Sequence, residues 1–193
     1  MMFSVPPLFS RPFLGVEIVL LALVIAAAIY DVRYRRIPNW LTLSGILLGL
    51  LLNAWLVDEG RPWLGLIFSL KGLGLGFGFY FFLYMLHAMG AGDVKLMAAV
   101  GALVGAENWF GIFILTAILG GITGGILVLV RKRVKHTLFN MSFIVSELKS
   151  GRSAHLGKEE LDVKSSKALR QPHGAIIALG TIVFLGLAAH YAQ

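Results

Sequence analysis

Cysteine is absent from all 193 residues. No disulfide staples this chain, and no thiolate holds a metal. Charge is scarce too: Asp, Glu, Lys and Arg make up 14 %, where soluble domains carry about 25 %. Acids are the rarer sign, 10 against 17 Lys and Arg. What fills the chain instead is apolar: 58 % of residues are hydrophobic and the mean hydropathy is +0.82. These values describe an integral membrane protein of one compact helical domain. A net charge of +7 invites a nucleic-acid reading. The basic residues, however, fall in loops between apolar segments, where the positive-inside rule puts them, so no nucleic-acid partner is expected.

Six apolar segments cover residues 13–30, 41–57, 63–89, 94–105, 109–130 and 174–190. A spanning helix needs about 20 apolar residues. The fourth segment is short by that measure, and is expected to begin before Asp93 or to be buried among its neighbours. The third contains Lys71, expected to snorkel or to face the bundle interior. The expected fold is all-α, a polytopic bundle of about six transmembrane helices. Residues 1–193 then form a single membrane-embedded domain with one polar loop at 131–172. Basic residues choose the sides: Arg33, Arg35 and Arg36 follow the first segment, Lys95 follows the third, and Arg131, Lys132, Arg133 and Lys135 follow the fifth. The turns 58–62 and 106–108 hold only Arg61 between them. Both termini are therefore expected on the non-cytoplasmic side, with Asp31 and Asp93 on the cytoplasmic side. The positive cluster of the first segment follows its apolar run, the reverse of a secretory signal, so it reads as an uncleaved span.

Glycines alternate at 72, 74, 76 and 78, and pair at 120, 121, 124 and 125. Small residues let helix backbones approach closely, so both sets are expected to pack. In the polar loop, Leu138, Met141, Val145 and Leu148 stand at helical spacing. A helix on the membrane surface and a solvated linker explain 137–149 equally well, and 150–171 reads as a flexible stretch.

Two acids interrupt this pattern. Asp31 sits in Tyr-Asp-Val-Arg-Tyr-Arg-Arg-Ile-Pro-Asn-Trp and Asp93 in Gly-Ala-Gly-Asp-Val-Lys-Leu, each where an apolar run meets a polar loop. Pro38 turns the chain at Ile37, and Asn39 is placed to cap the next helix. Gly90 and Gly92 permit close approach of a peptide to Asp93. Singly, each acid has a structural explanation: a partner for Arg33 or Arg35, and a turn with an N-cap. Together, two carboxyl groups at one face of a bundle can share a proton, one activating water and the other polarising a carbonyl, as in aspartic proteases. Acids in a membrane are costly and mark function. Helix dipoles favour Asp93, near a helix start, as the base and Asp31, near a helix end, as the acid; the three arginines oppose that bias.

These residues resemble the two signatures of type IV prepilin leader peptidases, and Gln171-Pro172-His173-Gly174-Ala175 resembles that family's Pro-Tyr-Gly segment, with His173 in place of Tyr. The resemblance implies a membrane aspartic endopeptidase of the GxGD type in the bacterial plasma membrane. It would remove the basic leader of type IV prepilins or pseudopilins at the cytoplasmic face, after a Gly. Asp31 and Asp93 would be the catalytic pair, with Gly90, Gly92 and Lys95 shaping the site, and no cofactor or metal is implied. With no cysteine for a zinc-binding N-terminal region, the chain is similar to the short peptidases of tight-adherence (Flp) pilus systems, and methyltransferase activity is not expected. The partners implied are a prepilin leader and the lipid bilayer.

Two rival readings remain at this point. Tyr30-Asp31 and Gly90–Asp93 also suit a presenilin-like intramembrane protease, although no Pro-Ala-Leu motif is found. A proton- or cation-coupled transporter also uses intramembrane acids, but near the midplane and commonly within inverted repeats, and no repeat is visible here. His87, six residues before Asp93, is a candidate neighbour of the site. Glu17 and Glu107 are expected to be solvated on the outer side.

Overall fold

In a computed structural model, the chain is described over residues 14–56, 61–86, 89–130 and 172–191. Those residues form helices and no strand. The helices are α1 (Leu14–Tyr34), α2 (Asn39–Leu56), α3 (Pro62–Met85), α4 (Ala91–Val130) and α5 (His173–Tyr191). All five are long and apolar enough to cross a membrane. The loop at 131–171, with its stretches 137–149 and 150–171, lies outside the described residues, as does His87.

The fourth and fifth apolar segments follow one another without a loop, as two helical arms within α4. Gly105 breaks it, with φ 75 and ψ 175, a backbone conformation that glycine tolerates and other residues resist. Trp109 Nε1 donates to the Met97 carbonyl at 3.2 Å. In a straight helix these residues would stand about 18 Å apart. The chain therefore folds back at Gly105 into an inner arm (91–104) and an outer arm (106–130). The inner arm begins at Ala91, before Asp93, and residues 96–105 are all buried. Both explanations for the short fourth segment hold: it starts early and it is the centre of the bundle. At about 21 Å it is shorter than the roughly 30 Å hydrocarbon layer.

Such a short helix ends inside the protein, where its last carbonyls have no helical partner. Side chains take them. Asn53 Nδ2 on α2 reaches the Ala102 and Leu103 carbonyls at 3.0 Å each, and Ser69 Oγ at 2.8 Å. Ser69 Oγ in turn donates to the Gly49 carbonyl at 3.1 Å. Asn108 Nδ2 covers the Val104 carbonyl at 3.1 Å.

Helix α3 packs against the inner arm through glycine, but only on one face. A Cβ at Gly72 would collide with the Gly101 carbonyl and one at Gly76 with the Met97 carbonyl, whereas Gly74 and Gly78 have nothing within 4 Å. The expected packing role belongs to the first pair alone, because a spacing of four keeps one helix face and a spacing of two does not. The glycine pairs of the outer arm depart further: Gly121 and Gly125 have nothing within 4 Å. The close approach there is made instead by Gly111 against Phe184 and by Gly180 against Thr116. Outside, the bundle is apolar, with Leu51, Trp55, Phe82 and Leu129 all exposed, as a lipid-facing surface requires. Lys71 is exposed on α3, which rules out the bundle interior for its side chain. Glu107 is exposed and Glu17 half-buried.

Candidate active site

Asp31 lies in the last turn of α1, which continues past the apolar segment to Tyr34. Its neighbours at 32–36 are exposed while Asp31 itself is buried, at 9 %. The helix ends at Arg35, whose φ of 54 is left-handed and whose N–H still reaches the Asp31 carbonyl at 2.9 Å. Ile37 and Pro38 then lead into α2. Asn39 opens that helix as expected, but its Oδ1 accepts from Lys95 Nζ at 2.9 Å, tying the start of α2 to the start of α4.

Asp93 stands in the first turn of α4. Its Oδ2 accepts the Gly90 N–H at 3.3 Å, and its own N–H reaches back to the Gly90 carbonyl at 3.1 Å. An acid three residues into a helix, bonded to the residue that caps it, is the acidic half of a capping box. Gly72 and Gly76 of α3 face Gly101 and Met97, and this antiparallel register carries on to Tyr80, which lies within electrostatic reach of Asp93. Helix α3 continues to Met85, about 8 Å further. Asp93 is thus recessed below that helix end.

The third wall comes from α5. The Gly174 N–H donates to Asp31 Oδ2 at 2.7 Å, in a buried bond between residues 143 apart in sequence. A Cβ at Gly174 would stand 3.1 Å from Asp31 Cβ and Oδ2 and 3.2 Å from Ile37 Cδ1. One at Gly92 would meet Ile37 Cβ at 3.3 Å. Ile37 is therefore wedged between the glycine beside each acid. His173 opens α5, feels the charge of Asp31, and has an enclosed Nε2 with no hydrogen-bond partner among the described residues.

Asp31 and Asp93 both line one cavity of about 650 Å³, together with Tyr30, Tyr34, Arg35, Arg36, Ile37, Gly90, Gly92 and Lys95. The charge of Asp31 acts on Asp93. All five residues singled out from the sequence, Asp31, Gly90, Gly92, Asp93 and Lys95, meet there. Gly174 and Ile37 were not singled out; the Pro-His-Gly and Ile-Pro-Asn motifs were the only signals that pointed to them. The dipole assignment of base and acid loses its footing: Asp31 ends one helix but accepts an N–H from the first turn of another, so both acids face helix N-termini. Among the described residues, no three His, Asp or Glu side chains group to hold a metal.

Cavity-lining carboxyl groups from two helices can activate water and donate a proton. The model of the type IV leader peptidase family matches residues 18–125, more than half of the chain and both acids with it. The chain belongs to the type IV leader peptidase family. No curated protein and no solved structure matches it significantly. The peptidase is accordingly a protease of the leader-peptidase type, built from helices suited to a membrane. The matched region stops within the outer arm of α4, so Gly174 reaches Asp31 from beyond it.

Proposed function

We propose that this peptidase is an aspartic endopeptidase that removes the basic leader from type IV prepilins or pseudopilins, cutting after a Gly. Asp31 and Asp93 are its catalytic pair. The observation that carries this reading is that the two acids, from helices α1 and α4, line the same cavity and interact electrostatically. Family membership supports the substrate class. The basic residues of the loops support a bacterial plasma-membrane location with the site at the cytoplasmic face.

In the reaction, a water molecule lies between the two carboxyl groups, which hold one proton between them. The ionised member takes a proton from the water as its oxygen attacks the scissile carbonyl carbon. The protonated member donates to the carbonyl oxygen. The tetrahedral intermediate collapses with cleavage of the C–N bond: the leaving nitrogen takes up the proton held by the first carboxyl, and one hydroxyl of the intermediate returns its proton to the second, giving the new carboxyl terminus and restoring the pair. Gly92 makes room for Ile37 and Gly90 for the Asp93 carboxylate, which shapes the wall beside Asp93, and Lys95 is tied to Asn39 in the cavity lining. The recess beneath α3 suits a substrate whose own apolar helix lies in the bilayer and whose cleavage site emerges at its end.

The experiment is a cleavage assay on a membrane-inserted substrate with a basic leader, a Gly and an apolar helix. Wild type releases the leader, while Asp31→Asn and Asp93→Asn each lose processing although both insert in the membrane. Full processing by either variant would overturn the assignment.

A further inference from the structure

We infer that the first turn of α5 is the positioning element of Asp31: the Gly174 N–H sets the orientation of the carboxylate, and position 174 takes glycine because any side chain there would displace it. This rests on the reading of Asp31 as a reacting acid.

Gly174 is the second residue of α5, so its N–H has no acceptor within the helix. Asp31 Oδ2 supplies one at 2.7 Å. Glycine is a poor helix former, and this glycine has no left-handed backbone angle to explain it. Space explains it instead. Of the three atoms nearest a Cβ at 174, two belong to Asp31, at 3.1 Å each, and the third is Ile37 Cδ1 at 3.2 Å. Ile37 lies against Gly92 on its other side, so an added methyl at 174 must push the Asp31 carboxyl or the Ile37 side chain aside by a few tenths of an ångström. Behind Gly174, the His173 ring approaches Gly120 of the outer arm, its Cε1 3.8 Å from where a side chain there would begin. The start of α5 is thus seated between α1 and α4. A carboxylate in an open cavity turns freely about its side-chain bonds, and misplacing a reacting group by about 1 Å costs on the order of 10²-fold in rate. The Gly174 N–H removes that freedom at Asp31 Oδ2.

Two measurements on the full chain test this. The first is amide hydrogen exchange at Gly174 and does not depend on cleavage. Asp31→Ala should speed exchange of that amide by about tenfold or more, because a first-turn N–H without its acceptor is unprotected. Asp93→Ala should leave it unchanged. Unaltered exchange in Asp31→Ala, or equal acceleration in both variants, would overturn the proposal. The second is kinetic. Gly174→Ala should lower kcat about tenfold or more, with KM within about twofold, since the interaction orients a reacting group without binding substrate. Adding Ile37→Val removes one of the three crowding atoms and should restore about threefold or more of the lost kcat. An unchanged kcat, or a loss confined to KM, would refute it. If Gly174→Ala fails to fold, the exchange comparison decides alone. If wild type releases no leader, the proposed function fails while the exchange result still judges the contact.

Discussion

Two polar clusters lie at opposite ends of the inner arm of α4. At its C-terminal end, Asn53 and Ser69 are buried and spend their hydrogen bonds on carbonyls of the protein itself. At its N-terminal end, Asp31 and Asp93 each accept one backbone N–H and otherwise face a cavity. Both clusters exist because a helix too short for the bilayer leaves its ends inside the protein. The first closes an end and the second leaves one open to a cavity. Buried polar groups satisfied by their own protein stabilise; groups with bonding capacity turned to a cavity are available for chemistry.

Breaking the open cluster has the largest expected effect. Asp31→Asn or Asp93→Asn removes the acid–base couple and should cut cleavage by roughly 10²–10⁴-fold or more, measured by leader release, with little loss of thermal stability in detergent. Breaking the closed cluster should do the reverse. Asn53→Leu strands the Ala102 and Leu103 carbonyls and should cost about 2–4 kcal/mol, read by detergent-phase unfolding, while the folded fraction keeps most of its activity. If Asn53→Leu abolished activity without destabilising, the two ends would not be separable.

A paired glycine test sharpens the boundary between packing and surface. Gly72→Ala drives a methyl into the Gly101 carbonyl and should destabilise by about 1–3 kcal/mol. Gly74→Ala, two residues on and facing open space, should be neutral or stabilise by up to about 1 kcal/mol. Equal effects on melting temperature would mean that the α3–α4 register is wrong. The smallest effect is expected at the rim. Lys95→Met breaks the exposed bond to Asn39 and should change stability by no more than about 0.5 kcal/mol, with a modest rise in KM as its kinetic sign.

Much of the site was legible early because its signals are local. An acid at the end of an apolar run, a Pro38 turn and a Gly-x-Gly lead-in each reside within a few residues. The break between the fourth and fifth segments was legible at 106–108 and falls one residue earlier, at Gly105, where a left-handed φ is required. The packing glycines were half legible: alternation at 72–78 announced close contact without saying which face makes it. The partner of Asp31 was not legible as such, since it lies 143 residues away. Nor was the role of Asn53, whose acceptors are 49 and 50 residues distant.

By itself, then, the amino-acid order determined the apolar spans, their polar interruptions and the two acidic motifs, because hydrophobic run length and turn chemistry act between near neighbours. Only the tertiary structure decided that the fourth span is a short central helix, that α5 presents an N–H to Asp31, and that Ile37 separates the two glycines beside the acids. Those outcomes depend on how helices far apart in the chain are seated against one another, and contact of that kind is set by packing in three dimensions.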